Sequence, residues 1–240
     1  MHRIFVPARG LDDWRRLLAD PDLHWRDGKS AKELALIWEA AQRTRRGLPP
    51  EIAAALDKTG DLRGAALVLA VPEHRVGFAG GGHPSQNDLW ALLRVGKSGL
   101  VSLTVEAKAG EELGDLVGDW LRKAEEGSKK PARLDHLRRI LGLDAGEPIE
   151  HIRYQLLHRT ASALKEAQRA SASAAAMIVQ SFDAEKDRPS FGEFCVFGRL
   201  MGADVRMDSL ARCTRATEVP LWLGWVNSKP VDRERSGRYS

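Results

Sequence analysis

The sequence predicts a mixed α/β domain in which a central β-sheet is flanked by helices. Three strand-like runs follow one another between residues 65 and 109, whereas helical patterns precede and follow them, and two more apolar runs come later. The chain has 240 residues, 43% of them hydrophobic and 29% charged, which suits one substantial core. We therefore expect residues 1–226 to form a single domain and residues 227–240 a polar, flexible tail.

The first part of the chain is predicted to be mainly helical. A short apolar run at residues 3–6 precedes a helix expected over residues 11–19. Ser30 and Glu33 have the spacing of a capping box, and the apolar stripe that follows them predicts a longer helix. The segment LPPEIAAALDKTG predicts a third helix that ends near Gly60.

The middle and the end of the chain alternate between strands and helices. The runs AALVLAV, DLWALLRV and LVSLTVEAKA predict three strands, separated by GFAGGGHPSQN and by a GKSG turn. Helical patterns follow in ELGDLVGDWLRKAEE, PARLDHLRRILGL and IRYQLLHRTASALKEAQRAS. A strand is then expected at AAAMIVQSF, a helix around FGEFCVFGRLMG and a last strand at VPLWLGWV.

Composition excludes several classes of protein. No apolar run reaches 18 residues, so no membrane span is expected, and the N-terminus lacks an apolar signal core, so we expect a cytoplasmic protein. Cys195 and Cys213 stand alone, which argues against a disulfide framework and a zinc site. A net charge of +4 permits a nucleic-acid partner. The basic cluster from Arg122 to Arg139 is interpreted either as a solvated helix surface or as a phosphate-binding face.

Acidic and basic side chains lie together on the third predicted strand. Alternation along LVSLTVEAKA places Glu106 and Lys108 on the same face. The preceding strand begins at Asp88. A three-residue loop between the two strands would place Asp88 opposite Glu106, whereas a two-residue loop would send Asp88 to the other face. Either register is compatible with the sequence.

Two carboxylates directly opposite each other repel, and a divalent cation would offset that repulsion. Mg²⁺ prefers oxygen ligands and keeps several waters, so Asp88, Glu106 and a substrate phosphate would suit it. Lys108 could then orient an attacking water or stabilise charge on the phosphate. The alternative is structural: Glu106 and Lys108 form a solvent-facing pair on an edge strand, and Asp88 is a turn residue.

The pattern D-x17-E-x-K across a β-hairpin resembles the PD-(D/E)XK nuclease superfamily, on Asp88 and on the Glu106-Ala107-Lys108 triplet. The resemblance implies a restriction-endonuclease-like α-β-β-β-α-β core and a nuclease that uses Mg²⁺ or Mn²⁺ to hydrolyse DNA or RNA. Asp88 and Glu106 would be metal ligands, and Lys108 the catalytic base or charge stabiliser. Glu39, on the first core helix, is the candidate accessory ligand, with a plain surface position as the alternative. Homodimers are frequent among two-fold nucleases, so a homodimer is compatible with this resemblance.

Two further segments contain candidate substrate-binding residues. In RYQLLHRTASAL, Gln155 and Arg159 lie on a polar shoulder of a helix that packs beside the catalytic sheet in the superfamily. Gln86 and Asn87 lie in HPSQND, either at the mouth of the cleft or in a simple turn. These segments, with HWRDGKSAKELALIWE and EAK, also resemble a group of bacterial proteins of similar length, which implies no activity.

A second hypothesis keeps the fold and removes the chemistry. The protein would then be a catalytically inactive PD-(D/E)XK-like module that binds nucleic acid or another protein. Diverging or blocked carboxylates at Asp88 and Glu106 would favour this hypothesis over the nuclease. Attraction of phosphate by the basic cluster would serve both hypotheses.

Overall fold

A computed structural model describes Ile4, residues 10–215 and residues 217–229 of the chain. Strands β1 (Ala66–Val76), β2 (Ser85–Val95) and β3 (Gly99–Lys108) form an antiparallel meander, followed along the chain by β4 (Ala174–Ser181), β5 (Ser209–Arg212) and β6 (Leu221–Asn227). These six described strands form one sheet in the order β1-β2-β3-β4-β6-β5. The β3–β4 and β4–β6 pairs are parallel, and the β5–β6 pair is antiparallel. The expected mixed α/β class is therefore confirmed.

Helices cover both faces of this sheet. Those before β1 are α1 (Leu11–Leu17), α2 (Pro21–His24), α3 (Ser30–Ala41) and α4 (Pro50–Asp57), followed by a 3₁₀ turn at Gly60–Leu62. Those after β3 are α5 (Val117–Arg122), α6 (Lys130–Leu141), α7 (Tyr154–Arg169) and α8 (Arg188–Leu200). Each group forms its own hydrophobic core against the sheet, so two cores lie on opposite faces. None of the described helices combines the length and the hydropathy of a membrane span.

Strand β3 lies in the interior of the sheet with both of its faces covered. Val101, Leu103, Val105 and Ala107 belong to the core formed with α3 and α4. The alternate residues are polar and lie under α7, where Thr104 Oγ1 donates to the carbonyl oxygen of Arg159 at 3.1 Å. Because water does not reach these polar side chains, each of them needs a partner within the protein.

The strands differ from the predicted ones at their ends. Strand β1 continues through Pro72 to Val76, although we expected it to end before the proline. It lies at the edge of the sheet, where a residue without an N–H group is tolerated. Strand β2 begins at Ser85, three residues before Asp88. Strand β5 was not predicted, because its four residues SLAR show no apolar alternation.

The helices also differ in detail. The helix expected in ELGDLVGDWLRKAEE is limited to Val117–Arg122, since the preceding backbone pairs with the segment before α7. The expected capping box at Ser30 is wrong. Lys29 is the N-cap, the Glu33 carboxylate accepts from the Gly28 N–H at 2.9 Å, and the Ser30 hydroxyl donates to Glu111.

The two ends of the chain are only partly described. In the apolar run at residues 3–6, Ile4 forms a parallel bridge with Ala70, and the other three residues lie outside the described part. Asn227 and Ser228, at the start of the predicted tail, belong to the fold: Asn227 ends β6, and the Ser228 N–H donates to the carbonyl oxygen of Ser181 at 2.8 Å. Residues 230–240 of that tail lie outside the described part.

We predict that Trp38→Phe lowers the free energy of unfolding by about 1–3 kcal/mol, because it leaves a buried acceptor without its donor. Trp38 and Gln180 are both fully buried, and Trp38 Nε1 donates to Gln180 Oε1 at 3.0 Å. Urea unfolding measures the change. Leu23→Ala, at a residue that is 51% exposed, serves as control and should stay within about 0.5 kcal/mol of wild type. Equal effects of the two variants would show that this hydrogen bond does not stabilise the fold.

Candidate active site

The β2–β3 hairpin has the three-residue loop Gly96-Lys97-Ser98, because Val95 pairs with Gly99. The paired positions continue to Leu89 and Val105, so Asp88 falls opposite Glu106. The backbone N–H of Ala107 donates to Asp88 Oδ2 at 2.7 Å. Of the two registers compatible with the sequence, the structure has the one that brings both carboxylates to the face covered by α7.

Glu106 is buried and held by three donors. Lys108 Nζ lies 2.9 Å from Glu106 Oε1, and Gln155 Nε2 donates to the same oxygen at 2.6 Å. Arg159 Nε donates to Glu106 Oε2 at 2.5 Å. The two helix residues predicted from RYQLLHRTASAL therefore reach the carboxylate, since α7 crosses β3 directly above it. The alternative of a solvent-facing Glu–Lys pair is excluded, because the side chains of Glu106 and Lys108 are 2% and 7% exposed.

A third carboxylate, that of Glu73 on β1, was missed by the sequence analysis. Pro72 pairs with Leu89 and His74 pairs with Asn87, so Glu73 lies at the register position opposite Asp88. Its backbone φ is +51°, a left-handed conformation that is strained for a glutamate and is often associated with functional sites. The predicted strand ends at Val71, before Pro72. Extending it by two residues, past the proline, includes Glu73.

Three acidic positions thus lie in one row across β1, β2 and β3, and their pKa values differ. Burial and the Asp88 carboxylate raise the pKa of Glu73 to about 8. Burial and the Glu106 carboxylate raise the pKa of Asp88 to about 7. Burial alone would raise the pKa of Glu106, but the Arg159 guanidinium and the Lys108 ammonium hold it below its ordinary value. Negative charge is therefore fixed on Glu106 and is poorly compensated at the other two positions.

The cationic partners are held in their charged forms. Burial would lower the pKa of Lys108, but Glu106 and Asp88 raise it above the ordinary lysine value. Burial would likewise lower the pKa of Arg159, but Glu106 and Asp88 raise it above the ordinary arginine value. Its Nη2 also lies 3.9 Å from Asp88 Oδ1, which accepts no hydrogen bond from the described residues. One Asp88 oxygen therefore remains available to a ligand.

Arg159 connects this carboxylate cluster to two residues that we did not predict. Its Nη1 donates to Ser85 Oγ at 3.2 Å, and Ser85 Oγ lies 2.7 Å from His158 Nδ1. Burial, followed by the positive charges of Arg159 and Arg133, lowers the pKa of His158 well below its ordinary value. The imidazole is therefore neutral and takes part in a buried polar chain.

The predicted residues before β2 have different surroundings. Gln86 Nε2 donates to Glu73 Oε2 at 2.7 Å, and Arg75 Nε donates to Gln86 Oε1 at 3.1 Å, so Gln86 joins the carboxylate row through Glu73. Asn87 is buried, and its Nδ2 donates to the carbonyl oxygen of His74 at 3.1 Å. The Asn87 side chain therefore stabilises the pairing of β1 with β2. It does not lie at the mouth of a cleft, where we expected a substrate-binding residue.

The structure does not bring Glu39 to the carboxylate row. Helix α3 packs on the face of β3 that carries Val105 and Ala107, which is opposite to the face of Glu106. There, Glu39 Oε1 accepts a hydrogen bond from Trp14 Nε1 at 2.8 Å. The position of Glu39 at the border of the apolar stripe did not show which face of the sheet the helix would cover.

The basic cluster from Arg122 to Arg139 is used partly for structure. Arg133 and Arg138 are buried and donate to backbone carbonyl oxygens, and Arg133 also donates to the Tyr154 hydroxyl at 2.7 Å. Lys130 Nζ donates to two carbonyl oxygens. Lys129 is exposed, and its side chain makes no hydrogen bond or ion pair with the described residues, whereas its carbonyl oxygen accepts from the Arg133 N–H at 3.0 Å. Neither interpretation of the cluster, as a solvated surface or as a phosphate-binding face, describes all of it.

The oxygens that a cation could use at this site are few, and they belong to Asp88 and Gln155. No group of three or more Asp, Glu, His or Cys side chains in the described part is arranged to hold a metal ion. Mg²⁺ needs only one or two carboxylates when waters and phosphates complete its shell. Asp88 offers a free oxygen, and Gln155 Oε1 is buried without a partner beside Glu106. Burial, followed by the Glu106 carboxylate, raises the pKa of Asp88 more than Arg159 and Lys108 lower it.

Together, the fold and the carboxylate cluster define a mixed α/β protein with a polar centre. This centre lies where strand β1 and the β2–β3 hairpin are covered by helix α7. The chain belongs to the family described as Domain of unknown function (DUF6946), whose model matches residues 7–230. No curated protein matches the chain, and no solved structure does.

We predict that Glu73→Gln flattens the dependence of stability on pH. The pKa of Glu73 is about 8 in the folded chain and has its ordinary, lower value in the unfolded chain. Between those values the folded state binds the extra proton, so stability falls as the pH rises towards 8. The melting temperature of wild type should therefore drop more between pH 5 and pH 9 than that of Glu73→Gln. Glu126→Gln, at an exposed residue, is the control and should follow wild type. Parallel curves for wild type and Glu73→Gln would contradict the raised pKa.

Proposed function

We propose that this protein is a metal-dependent phosphodiesterase of nucleic acids, built as in the PD-(D/E)XK superfamily. The observation that carries the proposal is the meeting of Asp88, Glu106 and Lys108 on one face at the end of the β2–β3 hairpin. The order of elements along the chain supports the proposal. Helices precede β1, β2 and β3, and further helices separate β3 from its parallel neighbour β4, as in an α-β-β-β-α-β core.

Asp88 and Glu106 would hold Mg²⁺ or Mn²⁺, and the cation would polarise a phosphoryl group and lower the pKa of a bound water. Asp88 is suited to this task because its Oδ1 accepts no hydrogen bond from the described residues, and because a carboxyl with a pKa of about 7 can release its proton to a cation near neutral pH. Arg159 and Gln155 position the Glu106 carboxylate through hydrogen bonds to both of its oxygens. The Glu73 carboxyl lies beside Asp88 and, when ionised, adds negative charge that favours a cation there.

Between the two roles considered for Lys108, the ion pair with Glu106 favours charge stabilisation. A general base must give up its proton near the working pH, whereas Glu106 and Asp88 raise the pKa of Lys108 above its ordinary value. The ammonium would therefore orient the attacking water or stabilise charge that develops on the phosphate. Proton acceptance would fall to another group or to solvent.

A nucleic-acid or protein-binding module without catalysis is the second candidate. The observation that favours it is the occupancy of Glu106: both of its oxygens already accept from Arg159, Lys108 or Gln155. A carboxylate has about four acceptor positions, of which three are used here. This leaves little room for a cation unless one donor withdraws.

Nucleic acid is the proposed partner of the enzyme and one of the two partners considered for the binding module, since the chain carries a net charge of +4 and Lys129 is exposed. We place the activity in the cytoplasm. Cys195 and Cys213 are both free thiols, which is the ordinary state in a reducing compartment.

Calorimetric titration with Mg²⁺ and with Mn²⁺ tests the metal site. We expect wild type to bind, Asp88→Asn to lose binding, and Glu39→Gln, on the opposite face of the sheet, to bind like wild type. Because the cation displaces a proton from a carboxyl with a pKa of about 7, the apparent Kd should increase about tenfold for each pH unit below 7. Wild type that binds neither ion, with or without oligonucleotide, would refute the metal-dependent enzyme and favour the binding module.

Cleavage of DNA and RNA substrates tests the role of Lys108. We expect Lys108→Ala to lower kcat by about 10²- to 10³-fold, as is typical when a charge-stabilising donor is removed. Metal binding should persist in this variant, because Arg159 and Gln155 still hold Glu106. The matched control is Lys97→Ala in the hairpin loop, which should cleave at the wild-type rate. Undiminished cleavage by Lys108→Ala would eliminate the role proposed for this residue.

A further inference from the structure

The function proposed above assigns no role to a pocket that meets the polar chain of the carboxylate row at Ser85. Its volume is about 410 Å³, which falls within the range of roughly 300–1,000 Å³ for small-ligand sites. One wall is the loop Gly81-Gly82-His83-Pro84, and the others come from α5, α7 and the start of α6, through Trp120, Tyr154, His158 and Lys129. Ser85, which accepts from Arg159, belongs to the same lining.

The loop wall depends on glycine. At Gly80, where φ is +92°, a Cβ atom would lie 2.7 Å from the backbone nitrogen of Arg133. The glycine loop therefore packs directly on the first turn of α6. Arg133 fixes it there, because its Nη1 donates to the carbonyl oxygens of Gly81 and His83 at 3.0 and 2.7 Å. The pocket is consequently a built feature of the fold.

Aromatic rings form the apolar part of the pocket. Trp120 and Tyr154 stack with ring centroids 3.9 Å apart and planes 12° from parallel. Tyr154 in turn contacts His158, with centroids 4.9 Å apart. Three rings thus stand in series along one side of the pocket, and Lys130 Nζ lies over the Trp120 ring at 5.3 Å from its centroid, so a ligand ring would meet aromatic and cationic groups together there.

A hydrogen-bond donor lies at the inner end of this series. Arg159 Nη1 donates to Ser85 Oγ and also lies 3.5 Å from His158 Nδ1, so Nδ1 faces a donor and is assigned as the acceptor of the Ser85 hydroxyl. The neutral His158 ring therefore carries its proton on Nε2, which makes no hydrogen bond with the described residues. At the outer rim, the ammonium of Lys129 is likewise unpaired within the described part, and its Cδ would lie 3.0 Å from a Cβ at Gly81.

We infer that this pocket binds one unpaired nucleotide of the substrate, its base against the ring series and its phosphate at Lys129. The inference rests on the proposed function and narrows the substrate class to single-stranded or frayed nucleic acid. A base within a duplex is stacked between its neighbours and can enter such a pocket only after it leaves the stack. The polar chain from His158 through Ser85 and Arg159 to Glu106 connects the pocket to the proposed cleavage site.

Fluorescence anisotropy in EDTA tests the pocket without catalysis. The probes are a fluorescein-labelled single strand of about 12 nucleotides, as DNA and as RNA, and the corresponding blunt duplexes. Wild type should prefer the single strand, and Trp120→Ala should weaken single-strand binding by at least about fivefold while duplex binding changes less than about twofold. Lys129→Glu should also lower the salt dependence of single-strand binding, by a slope of about 0.7. Lys97→Glu, with the same change of net charge in the distant hairpin loop, is the matched control.

Several outcomes would overturn the inference. These are failure of wild type to bind the single strand, tighter binding of duplex than of single strand, and equal effects of Lys129→Glu and Lys97→Glu. Lys129→Glu keeps the test valid if Trp120→Ala does not fold, because Lys129 is exposed and an acidic residue is favourable at the N-terminus of α6. Cleavage assays with Mg²⁺ separate the two proposals. Binding through the pocket without cleavage would refute the nuclease alone, and cleavage that pocket variants leave unchanged would refute the pocket alone.

Discussion

The buried ion pair between Glu106 on β3 and Arg159 on α7 determines how the rest of the site is arranged. Removing two charges from water is unfavourable by several kcal/mol per ion, and only good geometry with further hydrogen bonds offsets it. Here, Arg159 Nε, Lys108 Nζ and Gln155 Nε2 all serve one carboxylate. The pair therefore fixes the position of α7 over the sheet, since any shift of that helix would leave a buried charge without its partners.

Because Glu106 takes the short contacts of both cations of the cluster, the positive charge compensates the remaining acidic groups more weakly. Asp88 receives one backbone hydrogen bond, from Ala107, and Glu73 receives one from the Gln86 amide. Their raised pKa values follow from burial and mutual repulsion. Such a cluster takes up protons as the pH falls, and under the proposed function a cation would compete with those protons. The strained φ of Glu73 helps to set the geometry of this cluster, because a relaxed backbone at that residue would change the direction of the Glu73 side chain.

The sequence predicts the strands that carry this site better than the partners that complete it. Alternation along β3 places Glu106 and Lys108 on one face, but the face of Asp88 depends on the length of a loop that GKSG alone does not decide. Glu73 was not predicted because a proline such as Pro72 usually ends a strand. Proline is tolerated at the edge of a sheet, but only the topology of the whole sheet shows that β1 lies at the edge. Glu39 was misplaced for a related reason: its helix carries an apolar stripe, and either face of the sheet could receive it.

Helix α7 illustrates the limit of pattern analysis most clearly. Its stripe identifies a core face and a polar shoulder, so Gln155 and Arg159 could be selected, whereas the role of His158 depends on Ser85, 73 positions earlier in the chain. Ser85 accepts from Arg159 and donates to His158, and thereby couples the orientation of the carboxylate cluster to the pocket beside it. A ligand that takes a hydrogen bond from His158 Nε2 would favour this tautomer, and would stabilise the Arg159–Glu106 geometry through the same chain. Occupation of the pocket and the arrangement of the carboxylates are thus linked by three hydrogen bonds that connect β2, β3 and α7.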